Sequence, residues 1–154
     1  MTPRGVSLRP IGESNRQAIE ALRVSPSQQR FVSGVAESLR EAADHPDAHA
    51  LYWAVYADDT PVGFVMIADE VESAEYVPHY LWKLLIDERY QGRGFGTATL
   101  DLIVEYFRGR PGVEVLTTSA RQGDGSPIGF YERYGFQRTG EVSDDEVVLR
   151  LRLC

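Results

Sequence analysis

Gln91-Gly92-Arg93-Gly94-Phe95-Gly96 places three glycines at alternate positions just ahead of a run with helical spacing. That arrangement can hold a phosphate. A helix start leaves backbone N–H groups unpaired and carries the positive end of the macrodipole, and glycine lets the backbone approach an anion closely at positive φ. The same glycines also suit a tight strand-to-helix turn that binds nothing. Two other phosphate motifs are excluded. A dinucleotide fingerprint needs its third glycine where Thr97 stands, and the Gly-Lys-Ser/Thr triplet of a P-loop occurs nowhere in the chain. Downstream, Tyr131 within Phe130-Tyr131-Glu132-Arg133-Tyr134-Gly135-Phe136 is a phenol that can donate a proton, or a core ring whose hydroxyl finds a partner.

Acidic residues gather at Asp69, Glu70, Glu72 and Glu75, and again at Glu141, Asp144, Asp145 and Glu146, with no Lys or Arg inside either run. Such runs are either a solvated surface or a field that draws in a cation. The net charge of −7 argues against nucleic acid, which needs a clustered basic face. At 154 residues and 43% hydrophobic, the chain is long and apolar enough for one domain over residues 1–154. Its single cysteine, Cys154, cannot form an internal disulfide, and no apolar run has the length of a leader or a membrane span. The expectation is a cytoplasmic protein without a membrane partner.

Hydrophobic periodicity supplies the elements that must position these residues. Residues 6–11, 51–56, 62–67, 80–86, 113–118, 136–142 and 146–153 read as strands, with turn residues Asp58-Asp59-Thr60-Pro61 joining the second and third. The continuous apolar end of 80–86 suggests a strand buried on both faces. Ser14 is placed to cap a helix through Ile19 and Leu22 that Ser25-Pro26 ends. Ser33 is placed to cap a second helix carrying Val35, Leu39 and Ala42. Residues 95–108 form an amphipathic helix through Leu100, Ile103, Val104 and Phe107. Ser126-Pro127 opens a last helix that stops at Gly135. The order describes an α/β domain with one mixed sheet and helices on its faces.

Arg89-Tyr90-Gln91-Gly92-Arg93-Gly94-Phe95-Gly96 resembles motif A of the GNAT superfamily of N-acetyltransferases, in the form Gln/Arg-x-x-Gly-x-Gly/Ala. The preceding Leu84-Leu85-Ile86-Asp87 is similar to its apolar strand end. The segment from Phe130 to Phe136 is similar to its Leu-Tyr-Glu-Lys-x-Gly-Phe motif. The resemblance is close over residues 80–137, and Ile86-Asp87-Glu88-Arg89-Tyr90-Gln91-Gly92 is most like bacterial diamine and polyamine acetyltransferases.

This resemblance implies a single mixed, mostly antiparallel central sheet with helices on both faces. Acetyl-CoA, as cosubstrate, would lie in a splay between two parallel strands, one ending at Ile86 and the other beginning near Val113. It implies direct transfer to a small-molecule amine, with no metal. Leu84, Leu85 and Ile86 would meet the pantetheine arm. Gln91, Gly92, Arg93, Gly94, Phe95, Gly96 and Thr97 would hold the pyrophosphate, Arg133 the adenosine 3′-phosphate, and Tyr131 would be the general acid. The chain departs from its relatives at Trp82, where an acidic residue stands in similar enzymes, and at Asp124 and Pro127, where Asn and Ala are common. No base is assigned: Glu70, Glu72, Glu75 and His79 are candidates. Phe31, Tyr52, Trp53, Tyr76, Tyr80 and Trp82 are candidate walls of an amine pocket. The acidic loop favours a cationic amine such as a polyamine, with a peptide amino terminus or an amine-bearing antibiotic as alternatives. The rival reading is a non-catalytic acyl-CoA-binding module. A homodimer through residues 146–153 is a further expectation.

Overall fold

The apolar runs become seven strands of one sheet in the computed structural model, which describes residues 5–29, 31–69 and 78–153. Glu70, Glu72, Glu75, Tyr76 and Cys154 lie outside the described residues. The strands are β1 (Val6–Arg9), β2 (Ala50–Ala57), β3 (Thr60–Ala68), β4 (Tyr80–Ile86), β5 (Val115–Ala120), β6 (Gln137–Ser143) and β7 (Glu146–Arg152). They lie in the order β1-β2-β3-β4-β5-β7-β6. Every neighbouring pair is antiparallel except β4 and β5, which run parallel. β7 is paired with β5 from Val147 to Arg152 and with β6 from Glu146 to Arg150, and β6 is the terminal strand at that end of the sheet.

Strand alternation sends successive side chains to two helical layers. On one face α1 (Arg16–Glu20) and α2 (Val35–Asp44) bury Ile19, Val35 and Leu39 against Phe64, Met66 and Leu85. On the other, α3 (Phe95–Arg108) and α4 (Ile128–Tyr134) bury Leu100, Ile103, Phe107 and Ile128 against Val65, Ile67, Leu81, Leu116 and Leu149. This is the fold expected of GNAT acetyltransferases.

Two helix starts differ from expectation. Asn15, not Ser14, stands at the N-cap of α1, and its Oδ1 accepts from the amide of Gly12 at 2.8 Å. Gly34 stands at the N-cap of α2, while the Ser33 hydroxyl turns to Glu41 at 3.3 Å. Helix α1 also ends before Leu22, because the chain there is drawn to the sheet. The amide of Arg23 donates to Asp87 Oδ2 at 2.9 Å, and the Arg23 carbonyl accepts from the amide of Glu88 at 2.8 Å.

The site depends on how β4 leaves β5. Their backbone register holds a single pair, Tyr80 with Thr117, and Thr118 Oγ1 extends the link by donating to the Leu81 carbonyl at 3.0 Å. A β-bulge on β4 explains why the pairing stops there. Met66 pairs with Lys83 and Ile67 with Leu81, so Trp82 is the extra residue, and a bulged strand bends and twists more strongly. Leu81 and Leu84 therefore face one helical layer and Trp82 and Leu85 the other. On its far edge β4 stays tight against β3: a Cβ on Gly63 would lie 2.3 Å from the Leu85 carbonyl oxygen.

Asp87 anchors the end of β4. It is only 2% exposed and accepts the amides of Arg23 and Arg89 and the Arg89 guanidinium, whose Nε lies 2.8 Å away. Burial alone would raise its pKa. The Arg89 side chain and the two amides outweigh that and hold the carboxyl below its usual value. A depressed native pKa stabilises the fold above the unfolded value of about 3.9, and the contribution is lost as pH falls through the lower native value. Asp87→Asn should destabilise the protein by about 2 kcal/mol at neutral pH. In thermal melts, the gap between wild type and variant should hold from pH 6 to 8 and narrow below about pH 4.

Candidate active site

Two cavities meet at Tyr131. The first, of about 570 Å³, runs from the parted edge of β4 to the first turn of α3. Its geometry begins at Asp87, whose side chain caps a short 3-10 turn, Glu88–Tyr90. Gln91 then braces the loop, its Nε2 donating to the Ile86 carbonyl and to Gln28 Oε1, each at 2.8 Å. Gly92 at φ 77° and Gly94 at φ 86° take the left-handed backbone that side chains disfavour, and Gly94 is the N-cap of α3. The first intrahelical bond goes to Gly94 from Ala98, so the amides of Phe95, Gly96 and Thr97 have no partner within the helix. No acidic residue stands in that turn to oppose an anion. Gly96 lets α4 come close, since a Cβ there would lie 3.1 Å from the Phe130 ring.

Leu84, Ile86, Gln91, Gly92, Gly94, Phe95, Gly96, Thr97 and Arg133 all line this cavity. Leu85 does not: its side chain is buried in the core under the opposite face. Arg93 is exposed beside Tyr90, with its guanidinium 5.8 Å from the ring centre. Asp124 is exposed in the turn before α4. The donor set suits a long molecule with an anionic end and an amide-bearing arm. Free amides and the macrodipole of α3 match a pyrophosphate, and the edge of β4 beyond Leu81, which β5 does not pair, matches the amides. Coenzyme A has that chemistry.

The second cavity, of about 480 Å³, lies beyond Tyr131. Phe31, Val32 and Ser33 form one wall, Glu37 and Glu41 of α2 another, and Tyr80, Trp82 and Lys83 of β4 its floor. Ser119, Arg121 and Glu146 close it from β5 and β7. Lys83 Nζ lies 3.6 Å from Glu41 and 3.2 Å from the Ser33 hydroxyl. Ser119 Oγ donates to Glu146 Oε1 at 2.7 Å and is also hydrogen-bonded to the Tyr80 hydroxyl. Tyr131 lines both cavities, as do Val32, Leu84 and Pro127. It is 6% exposed, and burial pushes its pKa well above the usual phenol value. The Thr118 side chain opposes that shift and Tyr80 adds to it. Tyr131 is therefore a protonated phenol at neutral pH, able to give a proton.

Of the expected aromatic walls, Phe31, Tyr80 and Trp82 line this cavity. Tyr52 lies on β2 beside Phe64, and Trp53 packs edge-on to Tyr106. Asp69 corrects the reading of its acidic run as exposed charge. It is 6% exposed, accepts from the Tyr106 hydroxyl at 3.0 Å and is ion-paired with Arg110 from beyond α3. His79 Nδ1 lies 3.4 Å from Asp69 and its ring packs edge-on to Phe107, outside the second cavity. Glu37, Glu41, Ser119 and Arg121 belong to no motif, and only the acidic run around Glu146 hinted at that part of the site. Among the described residues no group of three His, Cys, Asp or Glu side chains could hold a metal, and no helix is long and apolar enough to cross a membrane.

Residues 31–136 match the model of a family described as the acetyltransferase (GNAT) family. The chain is 27% identical over 142 residues to the spermine/spermidine N(1)-acetyltransferase of Bacillus subtilis (strain 168), covering 89% of this chain and 91% of that protein. Among solved structures it resembles an acetyltransferase from Thermus thermophilus, with a TM-score of 0.71, 20% identity and 99% of each chain covered. It also resembles the spermidine N-acetyltransferase of Vibrio cholerae in complex with CoA and spermine. There the TM-score is 0.69 and the identity 14%, over 97% of this chain and 96% of that one. Gly94→Ala should strain the α3 start by about 1–2 kcal/mol. Calorimetric titration should show coenzyme A binding weakened about 10-fold.

Proposed function

The chain belongs to the acetyltransferase (GNAT) family and is an acetyl-CoA-dependent N-acetyltransferase, and from that premise we propose that its acceptor is a primary amine on a cationic small molecule such as a polyamine. The observation that carries this reading is the cavity beyond Tyr131, into which Glu37, Glu41 and Glu146 bring three carboxylates. Lys83 offsets Glu41, and among the described residues Arg121 is the remaining cation in the lining. A cavity with this balance favours ammonium groups over acidic or apolar acceptors. The similarity to the Bacillus spermine/spermidine N(1)-acetyltransferase and to the Vibrio spermidine N-acetyltransferase supports it.

Acetyl-CoA supplies the activated acetyl carbonyl. The amides at the start of α3 hold the pyrophosphate, and Arg133 lies where it can meet further phosphate charge. The unpaired edge of β4 at Leu84 and Ile86 would take the pantetheine arm, and Tyr131 lines the same cavity. Tyr131 would give its proton to the departing thiolate, a task that its burial preserves for it by keeping the phenol neutral.

Release of free thiol from acetyl-CoA, measured against polyamines, aminoglycosides, amino acids and short peptides, tests the proposal. Polyamines should be the best acceptors. Tyr131→Phe should lower turnover by about 10²–10⁴-fold while coenzyme A binding persists. Wild-type turnover in that variant removes the role of Tyr131. Binding of acetyl-CoA without thiol release for any acceptor supports a non-catalytic acyl-CoA-binding module instead.

A further inference from the structure

An ammonium ion cannot attack a carbonyl, because its lone pair is bonded to a proton. An alkylamine with the pKa of lysine, about 10.4, is neutral to less than about one part in 10³ at pH 7. The second cavity must therefore remove a proton if it is the acceptor site, and the inference rests on that reading. The three carboxylates are not equally placed for this. Glu41 is engaged by Lys83 at 3.6 Å, and Glu37 lies exposed on α2. Glu146 is different: it is partly buried and ends a chain of hydroxyls that begins beside Tyr131.

The direction of that chain follows from donor counting. A carboxylate only accepts, so the single Ser119 proton is committed to Glu146 Oε1 at 2.7 Å. Ser119 Oγ must then accept from the Tyr80 hydroxyl. This leaves the Tyr80 oxygen, whose ring also lines the cavity, with lone pairs free to accept from an incoming N–H. We infer that Tyr80, Ser119 and Glu146 form a proton relay that deprotonates the acceptor ammonium and delivers its proton to Glu146.

The transfer balances. The ammonium N–H bond breaks and its electron pair stays on nitrogen, while the proton bonds to Tyr80 Oη. The Tyr80 proton passes to Ser119 Oγ, and the Ser119 proton passes to Glu146 Oε1. Each hydroxyl ends with one proton, and the amine is neutral. Tyr80 itself stays a phenol between turnovers: burial raises its pKa, the Ser119 bond lowers it, and the Glu146 charge raises it. Partly exposed, Glu146 can return the proton to water.

Other charges bear on Glu146. From β4 and just beyond β5, Lys83 and Arg121 bring positive charge to the cavity that Glu146 lines, and Glu37 and Glu41 bring negative charge. Asp144 and Asp145 stand in the turn before β7. Tyr80 and Tyr131 are neutral at the working pH.

The test is the pH dependence of kcat/KM for the amine at saturating acetyl-CoA, from pH 6 to 10, in wild type, Glu146→Gln, Ser119→Ala and Ser119→Thr. At pH 7 the first two variants should lose about 10²-fold. The deficit should shrink as pH rises towards the amine pKa and free amine becomes plentiful. Ser119→Thr, which keeps the hydroxyl, should stay within a few-fold of wild type, and coenzyme A affinity should be unchanged throughout. A loss of equal size at every pH marks a structural role and overturns the relay, as does no loss at all. Ser119→Ala keeps the test open should Glu146→Gln fold poorly. If wild type releases no thiol with any amine, the acceptor-site reading falls and takes the relay with it. Wild-type turnover with a pH-independent deficit overturns the relay alone.

Discussion

The parting of β4 from β5 is the constraint on which the rest of the structure depends. Two parallel strands in mid-sheet normally pair along their length, and leaving buried backbone groups unpaired is costly. Here one residue pair, the Thr118 side chain and the hydroxyl contact of Tyr80 with Ser119 hold the strands together at Tyr80 and Leu81. Beyond them β4 turns away, driven by the extra residue Trp82, and keeps its other edge on β3. Both cavities follow from that opening. The freed edge of β4 borders one, and the side chains of Tyr80, Trp82 and Lys83 border the other.

Charge is handled in three different ways around this opening. Asp87 stays ionised in a buried place because backbone amides and Arg89 surround it, and it fixes the turn that presents the glycines. Tyr131 stays neutral because burial opposes a phenolate, which leaves it a proton to give. Glu146 stands at the cavity wall with some solvent access, where a carboxylate can both accept a proton and lose it again.

Much of the fold was legible because its signals are local. Residues 95–108 form a helix with the expected bounds, since Leu100, Ile103, Val104 and Phe107 repeat at helical spacing and bury one face. Residues 80–86 form the expected strand, but its apolar run hid a bulge, because no residue type marks Trp82 as the one left without a partner. The helix caps misread at Ser14 and Ser33 have a similar cause. Hydroxyls can bond to distant partners as well as to the next turn, and Ser33 faces Glu41 and Lys83. Asp69 looked like surface charge because its cation, Arg110, is 41 residues away in the chain.

The amino-acid sequence by itself determined the glycine loop, the buried strand ahead of it and the tyrosine helix downstream. Those features rest on backbone freedom and periodicity within a few residues, and they sufficed for the family. Only the tertiary structure decided what surrounds the second cavity. Glu41 on α2, Lys83 on β4, Ser119 on β5 and Glu146 on β7 come from four elements, and their contacts exist only once the sheet has ordered β5 between β4 and β7. No spacing along the chain encodes that order, because it follows from how apolar faces pack over long separations.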